Sequence, residues 1–511
     1  MKVTTENKTG LKKILKVFID KKTMNDHMIE KYDEIKKTVV LKGFRPGKVP
    51  AEILKKQFGK AIFAEVLDKV LKDTSSKAIA DSKIKIASQP KLDLKVYGED
   101  KDLEYTMEVE ELPKINTKDT KFILDIANNF SLLDAKEIKK LEKTTNHDVK
   151  AVEYFIKSKF EKHAKLKKYK EYIHICCTSE DINNISYGLM VHEAKLLLQK
   201  KITLILSLIK KNIKKYSSNA MISHTHGQPA TPTTMGKEFL IFYKRIEGLM
   251  KKLKTIDIKG KFNGATGNYS AHLTTFPNIN WPSTSKKFIN SLGLIQNEYT
   301  TQIESHDYIC EISNTLMHIN LILIGFTQDI WTYISKNYFI QKNIKREVGS
   351  STMPHKINPI NFENAEGNLG MANSILRFLS DKLVISRLQR DLSDSTVLRN
   401  IGISFGYSYV AYENLTLGLN KISINQLAID KDLINTWEIL AEPIQMIARK
   451  YYISNSYELL KNITRGQKIT KEQTHSLIKS LDIPEKEKKN LLKLTPQKYI
   501  GYATKLCNGK L

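Results

Sequence analysis

A chain of 511 residues, 41% hydrophobic and 27% charged, holds material for about two to four globular domains with buried cores. Its four cysteines (Cys176, Cys177, Cys310 and Cys507) contain no C-x-x-C pair, which excludes a disulfide framework and a zinc knuckle and fits a reducing cytosol. The formal net charge of +27 rests on 73 Lys and only 9 Arg, a lysine excess of the kind spread over solvated faces, so no DNA partner is expected.

Residues 1–20 carry several lysines and lack the apolar core and small-residue cleavage site of a signal peptide, so the chain is expected in the cytoplasm. Residues 24–39 have the pattern of an amphipathic helix. In residues 103–110, Leu103, Tyr105, Met107 and Val109 alternate with Glu104, Thr106, Glu108 and Glu110 as in a half-buried strand. Between them, the glycines and prolines of Gly43-Phe44-Arg45-Pro46-Gly47-Lys48-Val49-Pro50 predict a tight loop that thrusts a Phe and an Arg outward, with Pro50 suited to the first turn of the next helix. The first 115 residues thus read as α+β.

No proline lies between Pro113 and Pro229, or between Pro359 and Pro443, which leaves room for long unbroken helices. Leu198, Ile202, Ile205, Ile209 and Ile213 recur at helical spacing, with lysines on the other faces. Residues 130–511 are therefore predicted to be nearly all helical. The most apolar run, 316–326, is interrupted by His318 and Asn320 and is shorter than the roughly 18 residues of a membrane span, so none is expected.

Four polar clusters stand out in the helical part. They are Thr144-Thr145-Asn146-His147-Asp148, then Cys177-Thr178-Ser179-Glu180-Asp181-Ile182-Asn183-Asn184, then residues 223–232 (Ser-His-Thr-His-Gly-Gln-Pro-Ala-Thr-Pro), and residues 349–359 (Gly-Ser-Ser-Thr-Met-Pro-His-Lys-Ile-Asn-Pro). Singly, each reads most simply as a helix cap, a surface histidine or a turn. Gly260, Gly264 and Gly267 fit no nucleotide-loop pattern. Jointly the clusters supply an acid, a base and anion donors. A helix start at Thr178-Ser179 offers N–H groups and hydroxyls to an anion, and Lys356, Asn358, Arg390, Ser395 and Arg399 offer more. Removing a proton beside a carboxylate calls for a base on one face, a proton donor for the leaving group on the other, and cations for the developing charge. Ser350 is a weak base that would need Lys356 and loop closure to activate it.

The run 349–359 resembles the signature loop of the fumarase/aspartase superfamily. Residues 144–155, 177–184, 225–232, 300–308 and 387–402 narrow the resemblance to the adenylosuccinate lyases, from about residue 120 to the C-terminus. The resemblance implies a mostly α-helical fold with a central long-helix bundle and a homotetramer whose active sites draw on three subunits. It implies His226 as general acid on the purine amino nitrogen and Ser350 as general base on the succinyl carbon. His147 would assist near the substrate phosphate and the acid, Asp148 would bind substrate, and Thr178 and Ser179 would bind the succinyl part. Gln302, Lys356 and Asn358 would hold carboxylates, and Arg390, Ser395 and Arg399 would grip the nucleotide. The substrates implied are adenylosuccinate and the related succinylated carboxamide ribotide, with no metal and no organic cofactor.

Residues 43–50 and their flanking helices resemble the ribosome-binding domain of trigger factor, in which the loop docks on the large ribosomal subunit near the peptide exit; Phe44, Arg45 and Lys48 would be the contacts. The Ser-Pro-x-Asp-Gly-Arg-Tyr motif with which adenylosuccinate lyases begin is absent. A lost Arg–phosphate contact of that kind is worth about 1.5 to 3 kcal/mol, roughly ten- to a hundredfold in binding. The expected organisation is a small α+β ribosome-binding domain over 1–118, a truncated N-terminal lyase domain over 119–200, a central bundle with the catalytic loop over 201–425, and a C-terminal helical domain over 426–511. The alternative is a ribosome-associated binding protein whose lyase body is an inactive oligomeric scaffold.

Overall fold

Period-two apolar patterning dictates a sheet near the N-terminus. The computed structural model describes residues 1–7, 12–39, 41, 44, 47–84, 86, 89–111, 117–342, 344, 351–466 and 468–509. Strands β1 (Lys2–Asn7), β2 (Lys12–Ile19), β3 (Lys91–Val96) and β4 (Leu103–Glu110) form an antiparallel sheet in the order β1-β2-β4-β3. Leu15, Val17 and Ile19 of β2 and Leu103, Tyr105, Met107 and Val109 of β4 are buried, because alternate side chains share one face. That face packs with Met24 and Met28 of α1 (Lys21–Thr38) and with Ile62, Val66 and Val70 of α2 (Ala51–Asp81). The opposite face is solvated and carries ion pairs such as Lys12–Glu108 at 3.2 Å and Lys16–Glu6 at 2.7 Å.

Asp20 caps α1 by accepting from the Thr23 N–H at 2.9 Å, and Pro50 immediately precedes α2. Phe44 is 38% exposed and Lys48 is exposed, while Arg45, Gly43 and Pro46 lie outside the described residues.

Three helices follow: α3 (Thr117–Asn128), α4 (Leu132–Thr145) and α5 (Asp148–Glu161). Ser131 and Asp134 close a capping box at the start of α4. The long helix α6 (Ser179–Lys215) comes next, and Leu198, Ile202, Ile205, Ile209 and Ile213 are its buried stripe, as their spacing predicts.

By its internal contacts the chain divides into two units. One comprises Met1–Asn184, Lys261–Ser291 and Glu298–Gln302; the other comprises Ile185–Gly260, Leu292–Asn297 and Ile303–Leu511.

The second unit is mostly helical, as the periodicity argument predicts, and short strands interrupt it. Strands β5 (Ala220–Thr225) and β6 (Gln228–Thr234) form a hairpin before α7 (Met235–Thr255). Two short pairs follow: β7 (Lys259–Gly260) lies parallel to β8 (Ile295–Gln296), and β9 (Phe339–Gln341) lies antiparallel to β10 (Ile422–Ile424). Pro229 and Pro232 disfavour helix across the hairpin, and His226-Gly227 supplies its turn.

The bundle itself consists of α10 (Asp307–Ser335), α11 (Ile360–Leu383) and α13 (Ile401–Lys421), with α8 (Ser270–Thr275), α9 (Trp281–Ser291) and α12 (Ser393–Leu398) as shorter pieces of the chain. Helix α10 is long and apolar enough by composition to cross a membrane, although the run 316–326 alone is too short. Just over half of its most apolar window, 56%, is buried inside the protein, where Ile312, Leu316, Ile319, Leu323 and Phe326 form bundle core. Short helices between Gln426 and Cys507 complete the chain around a core of Leu440, Ile444, Leu460 and Ile478.

Candidate active site

The start of α6 is fixed by a buried polar knot. The Thr178 N–H donates to Asp181 Oδ2 at 2.9 Å, the N-capping pattern expected of a Thr three residues before an acidic side chain. Asp181 also accepts from the backbone N–H groups of Asn263 (3.1 Å) and Gly264 (3.1 Å), and its Oδ1 lies 2.9 Å from Lys261 Nζ. The Lys261 ammonium donates in addition to the carbonyls of Gly264 (3.1 Å) and Gln302 (2.7 Å). Neither Lys261 nor Asp181 has any solvent exposure. Asn184 pairs both ways with the Lys261 backbone, at 2.8 and 3.0 Å, and Asn263 Nδ2 donates to Thr300 Oγ1 at 2.8 Å.

The glycines of this loop are required by its geometry. Gly264 and Gly267 have φ of +85° and +75°, and a Cβ on Gly267 would lie 2.2 Å from the Thr300 carbonyl oxygen. Thr178, Ser179 and Gln302, three of the expected substrate-binding residues, are thereby carried on one rigid knot and are half-buried. Cys177, directly before them, has its thiol pushed up to about 12 by burial, with Asp181 adding to the effect.

His147 and Asp148 stand together at the start of α5. Asn146 ends α4 in the left-handed region at φ +50°, and His147 then caps α5, with its Nδ1 accepting from the Lys150 N–H at 3.3 Å. Both side chains are half exposed, with 3.4 Å between His147 Nδ1 and Asp148 Oδ1. Burial holds His174 below the ordinary histidine value. Its electrostatic neighbours include Glu153, Lys150, Asp181 and His147, so the start of α5 and the polar knot belong to one neighbourhood.

His226 occupies the tip of the β5–β6 hairpin. Thr225 pairs with Gln228, leaving His226 and Gly227 as a two-residue loop with φ of +53° and +74°, the positive pair that primed hairpin turns demand. The hairpin is braced by the Ser223 hydroxyl donating to the Thr231 carbonyl at 2.5 Å, by Thr231 donating to Glu442, and by Lys336 Nζ lying 3.0 Å from His224 Nε2. Burial first, and then Lys336, holds His224 below its ordinary value. His226 itself is exposed, and its imidazole makes no hydrogen bond or ion pair among the described residues. The imidazole thus stands at the exposed tip of a braced hairpin.

Lys356 is exposed and Asn358 half-buried on the stretch leading into α11. The Lys356 N–H donates to the Met353 carbonyl at 3.1 Å, and Gln341 Nε2 donates to the Ile357 carbonyl at 2.8 Å. Ser350 lies outside the described residues. Around α12, Arg390 Nη2 donates to Ser395 Oγ at 3.2 Å, while Arg399 is exposed at the helix end. The neighbouring Asp394 is buried. Burial raises its pKa, but the His306 ring 4.0 Å away, the Ser395 N–H and the charge of Arg390 bring it below the usual carboxylate range overall. Asp391 is held at about 2 by Ser393, through side chain and backbone, and by the Arg387 N–H.

The structure therefore gathers Thr178 with Gln302, His147 with Asp148, and Arg390 with Ser395. It places His226, Lys356 and Arg399 on exposed positions of separate elements. Sequence reasoning missed Lys261, Asn263 and the role of Asp181. The signal was the glycine-rich run 260–267, dismissed only because it matched no nucleotide loop. Among the described residues, no cluster of three or more His, Cys, Asp or Glu is placed to hold a metal.

A family model described as "Lyase" matches residues 63–373, and one described as "Adenylosuccinate lyase C-terminal" matches residues 386–500. The adenylosuccinate lyase of Legionella pneumophila (strain Corby) is 51% identical over 399 residues, covering 78% of this chain and 88% of the relative. The chain belongs to the adenylosuccinate lyase family, and it is a carbon–nitrogen lyase. The family's Escherichia coli (strain K12) member is 46% identical over 400 residues, 77% of this chain and 87% of its own length.

Solved structures extend the likeness to the fold alone. The 3-carboxy-cis,cis-muconate lactonizing enzyme from Pseudomonas putida has a TM-score of 0.65 at 16% identity, over 76% of this chain and 88% of that one. The fumarate lyase from Mesorhizobium sp. BNC1 has a TM-score of 0.64 at 14% identity, over 78% and 89%. The family models and the curated relatives carry the lyase reading, and the solved structures its mostly helical fold. The ribosome-binding reading of residues 1–118, with Phe44, Arg45 and Lys48 as its contacts, is carried by none of the proteins named. The family-model match reaches back to residue 63, inside α2 and ahead of the boundary expected near 118.

Proposed function

We propose that this adenylosuccinate lyase family member eliminates fumarate from adenylosuccinate, leaving AMP, and acts likewise on the succinylated aminoimidazole carboxamide ribotide. Family membership at 51% identity over 399 residues carries the reading. The braced, outward-pointing His226 adds a geometric reason, because a group that must reach a leaving nitrogen needs a rigid support and no competing partner. In this reading Ser350 takes the proton from the succinyl carbon, the C–N bond breaks, and His226 delivers a proton to the departing purine amino nitrogen. The electron pair of the broken C–H bond becomes the fumarate double bond.

Thr178 and Ser179 receive the succinyl part, while Gln302, Lys356 and Asn358 hold its carboxylates. His147 and Asp148 lie toward the phosphate, and Arg390, Ser395 and Arg399 grip the nucleotide side. The chain works as a cytoplasmic homotetramer whose sites draw on three subunits, and the reaction requires neither metal nor organic cofactor.

The test is fumarate release from adenylosuccinate by the purified assembled protein. Turnover is expected, with a loss of at least about a hundredfold in kcat for His226→Ala, the usual scale for removing a general acid. An assembled protein inert toward adenylosuccinate overturns the reading.

A further inference from the structure

A buried ion pair must compensate for the desolvation of both charges, and it does so only when hydrogen bonds complete it. The Lys261–Asp181 pair meets that condition. Each ammonium hydrogen has an acceptor, in Asp181, the Gly264 carbonyl and the Gln302 carbonyl. Both carboxylate oxygens accept backbone N–H groups, from Thr178, Asn263 and Gly264. Packing alone does not call for charges here, since an apolar pair of similar volume fills such a space as well.

The charges have an electrostatic reason. Asp181 stands in the first turn of α6, three residues after Thr178 and two after Ser179, where a dicarboxylate is to be received. A lone carboxylate there would oppose both the helix dipole's attraction for anions and the substrate's own carboxylates. Lys261 cancels it and, through the same ammonium, ties down the Gln302 backbone.

We propose that Lys261 is a positioning residue that acts by charge balance, neutralising Asp181 so that the start of α6 accepts a dianionic succinyl group. The inference rests on the reading that Thr178, Ser179 and Gln302 face the dicarboxylate.

Succinate and fumarate are the probes, titrated calorimetrically into the full-length assembled protein, with KM and kcat for adenylosuccinate measured alongside. Lys261→Met leaves the pair with one net negative charge. It is expected to weaken dianion binding about tenfold or more, with a rise in KM that exceeds any fall in kcat. Asp181→Asn leaves one net positive charge and is expected to bind the dianions at least as tightly as the unsubstituted protein. The double variant, Asp181→Asn with Lys261→Met, is neutral again and is expected to recover most of the loss although the ion pair is gone.

Affinity that follows net charge in this order supports the proposal. A Lys261→Met protein that binds dianions normally, or a double variant no better than Lys261→Met, overturns it, because a purely structural role makes the double variant at least as impaired as either single one. Should Lys261→Met fail to fold by circular dichroism, Asp181→Asn against the double variant supplies the contrast, and equal affinities overturn the proposal. Failure of the underlying reading has its own signature. If Ser179→Ala and Thr178→Ala leave succinate affinity unchanged, the dicarboxylate assignment falls, and this inference falls with it.

Discussion

His272 is a buried imidazole, 1% exposed, whose two ring nitrogens have no hydrogen-bond partner among the described residues. Phe262, Tyr269 and Trp281 enclose it, with ring centroids 5.9, 5.6 and 4.7 Å away. Burial holds its pKa below the ordinary 6.5. Between that lowered value and 6.5 the unfolded chain binds a proton that the folded one refuses, so stability falls as pH drops through the window. Denaturation midpoints measured from about pH 7 to about pH 5 should therefore decline, and His272→Phe should shrink the decline by removing this imidazole's share. An unchanged slope in the variant would show that the imidazole contributes none of it. The same residue closes over the loop that carries Lys261, since a Cβ on Gly264 would lie 3.3 Å from the His272 ring, so acid would loosen the polar knot from this side.

The bundle helices meet through a polar node as well as apolar stripes. Asn320 of α10, fully buried, accepts from the Tyr412 hydroxyl of α13 at 2.6 Å and donates to Asn373 of α11 at 3.0 Å and to Ser408 of α13 at 3.3 Å. A one-residue rotation of any of the three helices would strand these groups, so the node fixes rotational register where apolar contacts alone are permissive. Asn320→Ala should lower the unfolding free energy by about 3 kcal/mol in urea titration, combining a cavity with unsatisfied buried partners. Close helix contact adds a second constraint. A Cβ on Gly418 of α13 would lie 2.8 Å from the Phe362 ring of α11, so this glycine is set by interhelical distance and not by backbone conformation.

At the scale of the whole molecule, the bundle helices expose more apolar surface than one protomer has use for. Leu197 and Leu204 on α6, Leu321 on α10, Phe378 on α11, and Val410 and Leu417 on α13 are all 41% exposed or more. Large exposed apolar side chains recurring on neighbouring long helices are the mark of an oligomer interface. Sedimentation equilibrium should give a particle of about four times the 58.6 kDa chain mass, as the homotetramer proposed above requires. A monomer at micromolar concentration would remove the means of completing His226's surroundings from other subunits. Introducing a charge at both positions, Leu197→Asp with Leu417→Asp, should dissociate the particle and abolish turnover together.

The sequence by itself determined the parts governed by local period and local chemistry. The alternation in β4 was legible, as were the stripe from Leu198 to Ile213 on α6, the helix start at Thr178-Ser179, and the polar clusters that carry the family likeness, because each depends on neighbours a few residues away. The β5–β6 hairpin was readable in principle from His226-Gly227 followed by Pro229 and Pro232, yet the helical context masked it. Only the tertiary structure decided that Lys261 and Asp181 form a solvent-free pair, that Gln302 is tied to the same ammonium, and that Asn320 links three helices. Those partners lie between about 40 and 90 residues apart in the chain, and burial, which turns an ordinary lysine into a structural charge, does not exist until the distant segments meet.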